Sequence, residues 1–451
     1  LRFNLLRKGD FAMKVLKFGS SAVASAQRIK DVAALVAKTK GNGNIVVLSA
    51  MSGTTAMLID IADYLYKKNP DGAKELTNTL ERKYLNLAKE LFNEKKTKEV
   101  TVELQSRFDE IRNLSKDIFT LFEEKKIVAQ GELILSYLFS EYLNETGINA
   151  KTISALNFMR IDKNEEPDNH FIKENLAQQI EQAGEADLYI TQGFICKNAY
   201  SEIDNLQKGG SDYSAALIGA ALQAEEIQIW SDMDGIYNND YKIVKEAKPI
   251  EKLSFDEAAE LSYFGNGDKI LHPTCILPAK LANIPVRLMN ILQPQVGGTL
   301  ISTDFTANKI EAIAAKEGIS AIKINSGRML LAHGFLRRVS EIFESYKTPI
   351  DMITTSEVGL SVTIDNNKHL DEIVNDLKKF GTVTVHKDMT IICVVGDLPD
   401  DNIGFQAKVV SALQNIPIRM ISYGGSFHNI SFLIHSNDKA EALTSLHKAL
   451  F

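Results

Sequence analysis

Residues 14–21 read Lys14-Val15-Leu16-Lys17-Phe18-Gly19-Ser20-Ser21, an apolar run of strand length that stops at a glycine and two hydroxyls. The amphipathic stretch Ala26 to Lys38 follows directly, with apolar residues at helical spacing. Strand, turn and helix in this order open a layered α/β unit, because a helix crossing back over a sheet brings the next strand in parallel to the first. Gly19 permits a tight turn, the hydroxyls and helix N-terminal amides can meet anionic oxygens, and Lys17 adds a mobile positive charge. The GxxxxGK[ST] pattern of a Walker A loop is absent. Taken alone, the segment is also what any strand-to-helix connection offers.

The same rhythm recurs outward from it. Ile45 to Ser49, Asp187 to Thr191, Ile227 to Ser231 and Val286 to Asn290 are short apolar runs punctuated by Gly, Ser, Asn or Asp, with helical stretches such as Ser211 to Ala221 between them. The expected architecture for 13–302 is an α/β, parallel-sheet αβα sandwich. Residues 71–126 interrupt it. Leu76, Leu80, Tyr84, Leu87 and Leu91, then Leu104, Phe108, Ile111, Ile118 and Leu121, fall three, four or seven apart, which predicts an inserted helical hairpin with one packing stripe per helix.

From about Thr303 the units shorten. Ile319 to Asn325, Phe335 to Tyr346, Ile350 to Thr354, Val358 to Ile364, Leu370 to Phe380 and Val383 to Lys387 form a β-α-β-β-α-β series over 319–388. A second series, 389–451, lacks its opening strand, and Ile310 to Ala315 is the candidate to supply it. Two interleaved α/β modules within 303–451 are expected.

Composition narrows the function. Hydrophobic residues are 45%, charged residues 24%, and the net charge is −7, so the clustered basic excess that nucleic-acid binding needs is missing. No apolar run approaches the ~20 residues that span a bilayer. Cys196, Cys275 and Cys393 are scattered, with no metal-ligand spacing, and read as reduced thiols of a cytoplasmic protein. Met13 reads as a start, and 1–12, without the apolar core of a signal peptide, as a remnant or upstream extension.

Four further segments carry candidate chemistry. Ser49-Ala50-Met51-Ser52-Gly53-Thr54-Thr55 follows a strand, where hydroxyls suit phosphate or carboxylate oxygens or simply cap the next helix. Lys208-Gly209-Gly210-Ser211-Asp212 opens a helix with bare amides beside a lysine; Asp212 would repel phosphate unless it oriented a lysine such as Lys17 or supported Mg²⁺ through water. Ser231-Asp232-Met233-Asp234-Gly235-Ile236-Tyr237 could bind metal or form a turn. Asp268-Lys269-Ile270-Leu271-His272-Pro273 places a lysine in a short loop and a histidine before proline, the latter better suited to structure than to proton transfer.

Together, Lys17-Phe18-Gly19, Thr191-Gln192-Gly193-Phe194-Ile195, Gly209-Gly210-Ser211-Asp212-Tyr213, Asp234-Gly235-Ile236-Tyr237 and Lys269-Ile270-Leu271-His272-Pro273 resemble the aspartokinase branch of the amino acid kinase family, from Met13 to the C-terminus. Gly334-Phe335-Leu336 with Thr348 to Val358 resembles its regulatory ACT region, and so separates the chain from acetylglutamate and carbamate kinases. The resemblance implies a monofunctional kinase that uses ATP with Mg²⁺ to phosphorylate L-aspartate, the first step toward lysine, threonine and methionine. It implies Lys17 and Asp212 as catalytic residues and Thr55, Glu132, Phe194 and Lys208 as aspartate contacts. Around the nucleotide it implies Lys17, Gly19, Ser20, Gly209, Gly210, Ser231, Asp232, Tyr237, Lys242 and Lys269, with no metal-ligating side chain. An amino acid effector, lysine favoured over threonine, would bind at Met329, Phe335, Leu336, Asp351, Ser356 and Glu357 between ACT modules of a homodimer or dimer of dimers.

The chain departs from the pattern at three places. Ser20 stands where glycine is usual, and Lys208 and Lys242 replace arginines; a lysine cannot make the two-pronged contact that guanidinium makes to carboxylate. A non-catalytic amino acid sensor of the same fold is the rival expectation these substitutions raise. For the enzyme, no general base is needed, since the attacking carboxylate is already ionised at pH 7.

Overall fold

The computed structural model describes residues 13–114, 118–206, 209–264, 271–304, 309–327, 333–398 and 403–451. They fall into two compact units, one within Leu1–Gly235 and Leu271–Thr303, the other within Ile236–Ile270 and Asp304–Phe451.

In the first unit, strands β1 (Lys14–Phe18), β2 (Asn44–Leu48), β3 (Ala150–Thr152) and β4 (Leu188–Gln192) are joined by β7 (Glu226–Ser231), β9 (Val286–Asn290) and β10 (Thr299–Ser302) in the order β3-β4-β2-β1-β7-β9-β10. Every pairing as far as β9 is parallel, and β10 closes antiparallel. β5 (Ile195–Lys197) and β6 (Ile203–Asn205) form a separate hairpin. Strand side chains alternate, so each face needs its own cover. Leu16, Phe18, Val46, Leu48, Leu188 and Ile190 join a core with α1 (Ala26–Ala37), α2 (Thr54–Tyr66), α3 (Pro70–Leu91), α4 (Glu94–Leu114) and α5 (Leu121–Glu145). The remaining helices of this unit are α6 (Ala155–Phe158), α7 (Asn169–Ala183), α8 (Gly210–Leu222) and α10 (Pro273–Ala282). On the opposite face α8 lies close to the sheet, and a methyl group on its Gly219 would come within 2.5 Å of Ile227 and 3.9 Å of Val15.

The inserted hairpin is present as α3 and α4, with one correction. The stripe of α4 ends at Ile111, whereas Ile118 is 86% and Leu121 61% exposed. Thr120 and Glu123 form a reciprocal capping box that starts α5, so the apparent periodicity runs across a helix boundary.

The second unit holds β8 (Lys252–Ser254), α9 (Phe255–Phe264) and a six-stranded antiparallel sheet ordered β12-β13-β11-β14-β16-β15. Its strands are β11 (Ile310–Asn325), β12 (Ile353–Thr355), β13 (Gly359–Ile364), β14 (Thr382–Gly396), β15 (Met420–Ser422) and β16 (Asn429–His435). The expected separate strands 310–315 and 319–325 are one, β11, and 383–387 with 389–396 are one, β14. Register shifts in their pairing lie near Lys316 and Ile319. The first half of β11 pairs with the second half of β14 and conversely, so each long strand serves both modules. One core gathers Phe335, Val339 and Phe343 of α11 (Phe335–Ser345) with Leu370, Ile373 and Leu377 of α12 (Leu370–Leu377). A second gathers Phe405 and Val409 of α13 (Phe405–Ala412) with Leu443 and Leu446 of α14 (Lys439–Leu450).

Candidate active site

Backbone bonds align the carboxyl ends of four strands. Gly19 donates to the Trp230 carbonyl (3.3 Å), Ser49 to Phe18 (3.2 Å) and Gly193 to Leu48 (2.9 Å). The residues just beyond are therefore neighbours, as expected at the strand ends of an open parallel sheet. Lys17, 8% exposed, leaves β1 there and forms an ion pair with Asp212 in the first turn of α8.

Glycines set the entrance to α8. Gly209 (φ +77°) and Gly210 (φ +49°) both adopt the left-handed conformation. A methyl group on Gly193 would lie 2.2 Å from Ser211 Cβ, so β4 and α8 approach where only hydrogen fits. Ser211 and Ser49 hydroxyls meet at 2.5 Å. Phe194 is itself left-handed (φ +66°), held by its N–H donating to Ser214 Oγ (2.9 Å) and its carbonyl accepting from Leu206 N–H (2.7 Å). A bulky residue in that region costs conformational energy and persists only when its surroundings fix it.

A second pole lies on α5. Glu132 is 3% exposed; its Oε1 accepts from Ala50 N–H at 3.2 Å, and Oε2 has no partner among the described residues. Burial pushes its carboxyl up to about 8, against the smaller opposing pull of the Ala50 amide. Beside it, buried Thr54 shares a 3.0 Å hydrogen bond with Tyr84 of α3, and Thr55 is half-buried in the first turn of α2. Lys83, lowered by partial burial, donates to the Ser52 carbonyl at 2.9 Å. Sequence reasoning missed Lys83 and the hydroxyl role of Tyr84, and it placed Ser49 and Ser211 in candidate segments without pairing them. The hairpin stripe marked Tyr84 only as packing.

The loop after β7 is a turn. Met233 N–H donates to Ser231 Oγ (3.2 Å), Asn290 Nδ2 to Asp234 (2.6 Å), and Ser21 Oγ lies 3.5 Å from Asp232. Ser20 is exposed just after Gly19. Tyr237 and Lys242 belong to the second unit, where the Tyr237 ring packs tilted against Tyr241 (centroids 5.0 Å apart) and Lys242 N–H donates to Asp240 (3.0 Å). His272 caps α10 by accepting from Thr274 N–H. Lys208, Lys269 and Met329 lie outside the described residues. Among the described residues no group of three or more His, Cys, Asp or Glu could hold a metal.

In the second unit, Phe335 opens α11 after left-handed Gly334, Leu336 is 46% exposed, and Ser356 and Glu357 are exposed near the start of β13. Asp351 already has a cation. Lys316 Nζ lies 2.7 Å from its Oδ1 and 2.8 Å from Asp365, and Tyr263 donates to it at 3.2 Å. Burial pushes Asp351 up while Lys316 pulls it back. Burial opposes the charge of Lys316, yet the two carboxylates raise it, and the ion pair is the form that two acids around one ammonium favour. Asp351 Oδ2 is buried without a partner among the described residues.

A parallel sheet ending in a lysine, glycine-bared helix amides and a buried acid is the arrangement of a small-molecule kinase, and comparison gives the class: the amino acid kinase family profile matches residues 12–290 and an ACT-domain profile 392–450. Within that class the chain belongs to the aspartokinases, and it is a phosphotransferase. It is 32% identical to chloroplastic aspartokinase 1 of Arabidopsis thaliana over 97% of this chain and 80% of the relative. Among solved structures, E. coli aspartokinase III with aspartate and ADP (R-state) superposes with a TM-score of 0.84, at 31% identity over 97% of this chain and 100% of that one. The same E. coli protein with lysine and aspartate (T-state) gives a TM-score of 0.80 at 30% identity, over 97% and 99%.

Proposed function

We propose that this chain transfers the γ-phosphoryl group of ATP to the side-chain carboxylate of L-aspartate, giving ADP and 4-phospho-L-aspartate, the entry to lysine, threonine and methionine synthesis. The observation that carries the reading is the Lys17–Asp212 pair beside the glycine entrance of α8. A carboxylate oxygen forms the new bond to γ-phosphorus as the bond to the β–γ bridging oxygen breaks, and both partners are anions. The barrier is then set by placement and charge screening. Lys17 would lie against the transferred group, Asp212 would hold Lys17, and Gly19, Ser20, Gly209 and Gly210 would let backbone approach phosphate. Ser231, Asp232, Tyr237, Lys242 and Lys269 would surround the nucleotide. Mg²⁺ would arrive on the phosphates, supplying charge neutralisation, with oxygen ligands from phosphate and water.

For aspartate, Glu132 Oε2 would take the ammonium, and Thr55, Phe194 and Lys208 would flank the carboxylates. The E. coli relative crystallised with aspartate and ADP supports this choice of substrates. Residues 13–302 would be catalytic and 303–451 regulatory, with lysine as effector at Met329, Phe335, Leu336, Asp351, Ser356 and Glu357. Support comes from the lysine-bound E. coli relative and from the unpartnered Asp351 Oδ2. ACT modules of two copies would pair, in a cytoplasmic homodimer or dimer of dimers. The test is ADP release with L-aspartate, N-acetylglutamate and carbamate offered in turn, and calorimetry with lysine, threonine and methionine. ADP release with aspartate alone and heat from lysine are expected; release with either other acceptor, or heat from none of the amino acids, would refute the corresponding half.

A further inference from the structure

The segment after β7 continues the catalytic sequence yet folds with the C-terminal unit. Its first loop is tied there by buried polar groups. Asn239, fully buried, donates from Nδ2 to the Leu443 carbonyl of α14 (3.2 Å), and its Oδ1 accepts from Asp240 N–H (2.8 Å). Asp240 is 5% exposed: Oδ1 accepts from Lys242 N–H (3.0 Å), and Oδ2 lies 3.7 Å from Lys439 Nζ at the start of α14. Lys439 also meets Glu317 of β11 at 3.2 Å. Asn238 accepts from Ile313 N–H (2.9 Å), and Val244 sits in one core with Leu443 and Leu446.

We infer that Lys439 is a positioning residue for nucleotide binding, holding the Tyr237 to Lys242 loop through Asp240, so that helix α14 of the ACT-like tail sets affinity for ATP. The inference rests on the proposal that Tyr237 and Lys242 contact nucleotide. Its physics is simple. A buried carboxylate that loses a neighbouring ammonium becomes costly, and the cheapest relief is for the loop to move until water reaches Asp240. The same carboxylate fixes the Lys242 backbone, so that movement displaces Lys242. Lys439 itself contacts no reacting group in this account.

The test is steady-state kinetics on the full chain, with MgATP and L-aspartate varied independently, for wild type, Lys439→Met and Lys439→Arg. Methionine keeps the apolar stem and removes the charge; arginine restores the charge. Lys439→Met should raise KM for ATP about three- to tenfold, the range typical of couplings through packed networks. KM for aspartate should stay within about twofold, and Lys439→Arg should recover most of the loss. An unchanged KM for ATP in an otherwise active Lys439→Met enzyme overturns the inference alone. Equal rises in both KM values with a lowered Tm and no recovery by arginine also overturn it, since they mark general destabilisation. A wild type that makes no aspartyl phosphate overturns the functional reading first, and this inference with it.

Discussion

Lys17 at the end of β1 pairs with Asp212 in the first turn of α8, and neither side chain is more than 17% exposed. The pair joins two elements far apart in sequence at the point where four strand ends align. A lysine so held has lost its rotamer freedom before any ligand arrives, which is what lets a charge act on a transition state rather than merely attract a substrate.

Removing that charge should separate chemistry from binding. Lys17→Ala should lower kcat about 10²–10³-fold, the cost usual for a group that stabilises developing charge. Calorimetry with MgATP should show binding weakened far less than turnover. Near-normal kcat would remove Lys17 from the mechanism.

The proposed pairing of Glu132 with the substrate ammonium would make aspartate binding depend on pH in a definite sense. With its carboxyl raised to about 8 by burial, the empty protein carries it neutral at pH 7. An ammonium favours the carboxylate, so binding should expel a proton, and affinity should rise with pH up to about 8 and then level. Titration calorimetry in two buffers of different ionisation enthalpy reads the proton directly. Glu132→Gln should abolish the release and weaken binding. For folding the sign is opposite: the folded state holds this proton over a range where the unfolded chain has lost it. The Glu132 contribution to stability therefore falls between about pH 4.5 and 8.

The close approach of β4 and α8 can be probed by one methyl group. Gly193→Ala would place Cβ 2.2 Å from Ser211 Cβ and 2.8 Å from its Cα, so the helix must shift. A loss of about 1–3 kcal/mol of stability is expected, as for other overpacked sites. Thermal unfolding would measure it, together with a fall in kcat as Asp212 moves from Lys17.

Much of this site was legible because its devices are local. Gly209 and Gly210 announce the left-handed entrance to α8, and Asp212 follows them in the sequence as Gly19 follows Lys17; Gly19 itself keeps an ordinary extended backbone (φ −71°) rather than the tight turn its type allows. What could not be read are pairings between distant segments of the chain: Thr54 with Tyr84, Ser49 with Ser211, Lys316 with Asp351. Periodicity marked Tyr84 as core but cannot show a hydroxyl's partner. Ile118 and Leu121 kept helical spacing across a break that only the Thr120–Glu123 cap reveals. The allegiance of 236–270 to the C-terminal unit left no compositional trace, since Asn239 and Asp240 look like ordinary turn residues until their partners on α14 are known.

In the second unit, the proposed effector residue Asp351 pairs through Oδ1 with Lys316. A cationic amino acid bound there, as proposed, would use Oδ2 or displace Lys316. Asp351→Asn should raise the lysine concentration for half-inhibition about ten- to a hundredfold, the worth of a buried charged hydrogen bond. Uninhibited kcat should stay near wild type. Inhibition curves for the two proteins that superpose would remove Asp351 from the effector site.

The most direct test of the account traps the product. The full chain is incubated with MgATP, L-aspartate and hydroxylamine, and ADP and aspartyl hydroxamate are measured together. Equal amounts of the two, both lost in Lys17→Ala, are what phosphoryl transfer to the aspartate carboxylate predicts. Release of ADP without hydroxamate, or hydroxamate undiminished in Lys17→Ala, would contradict it.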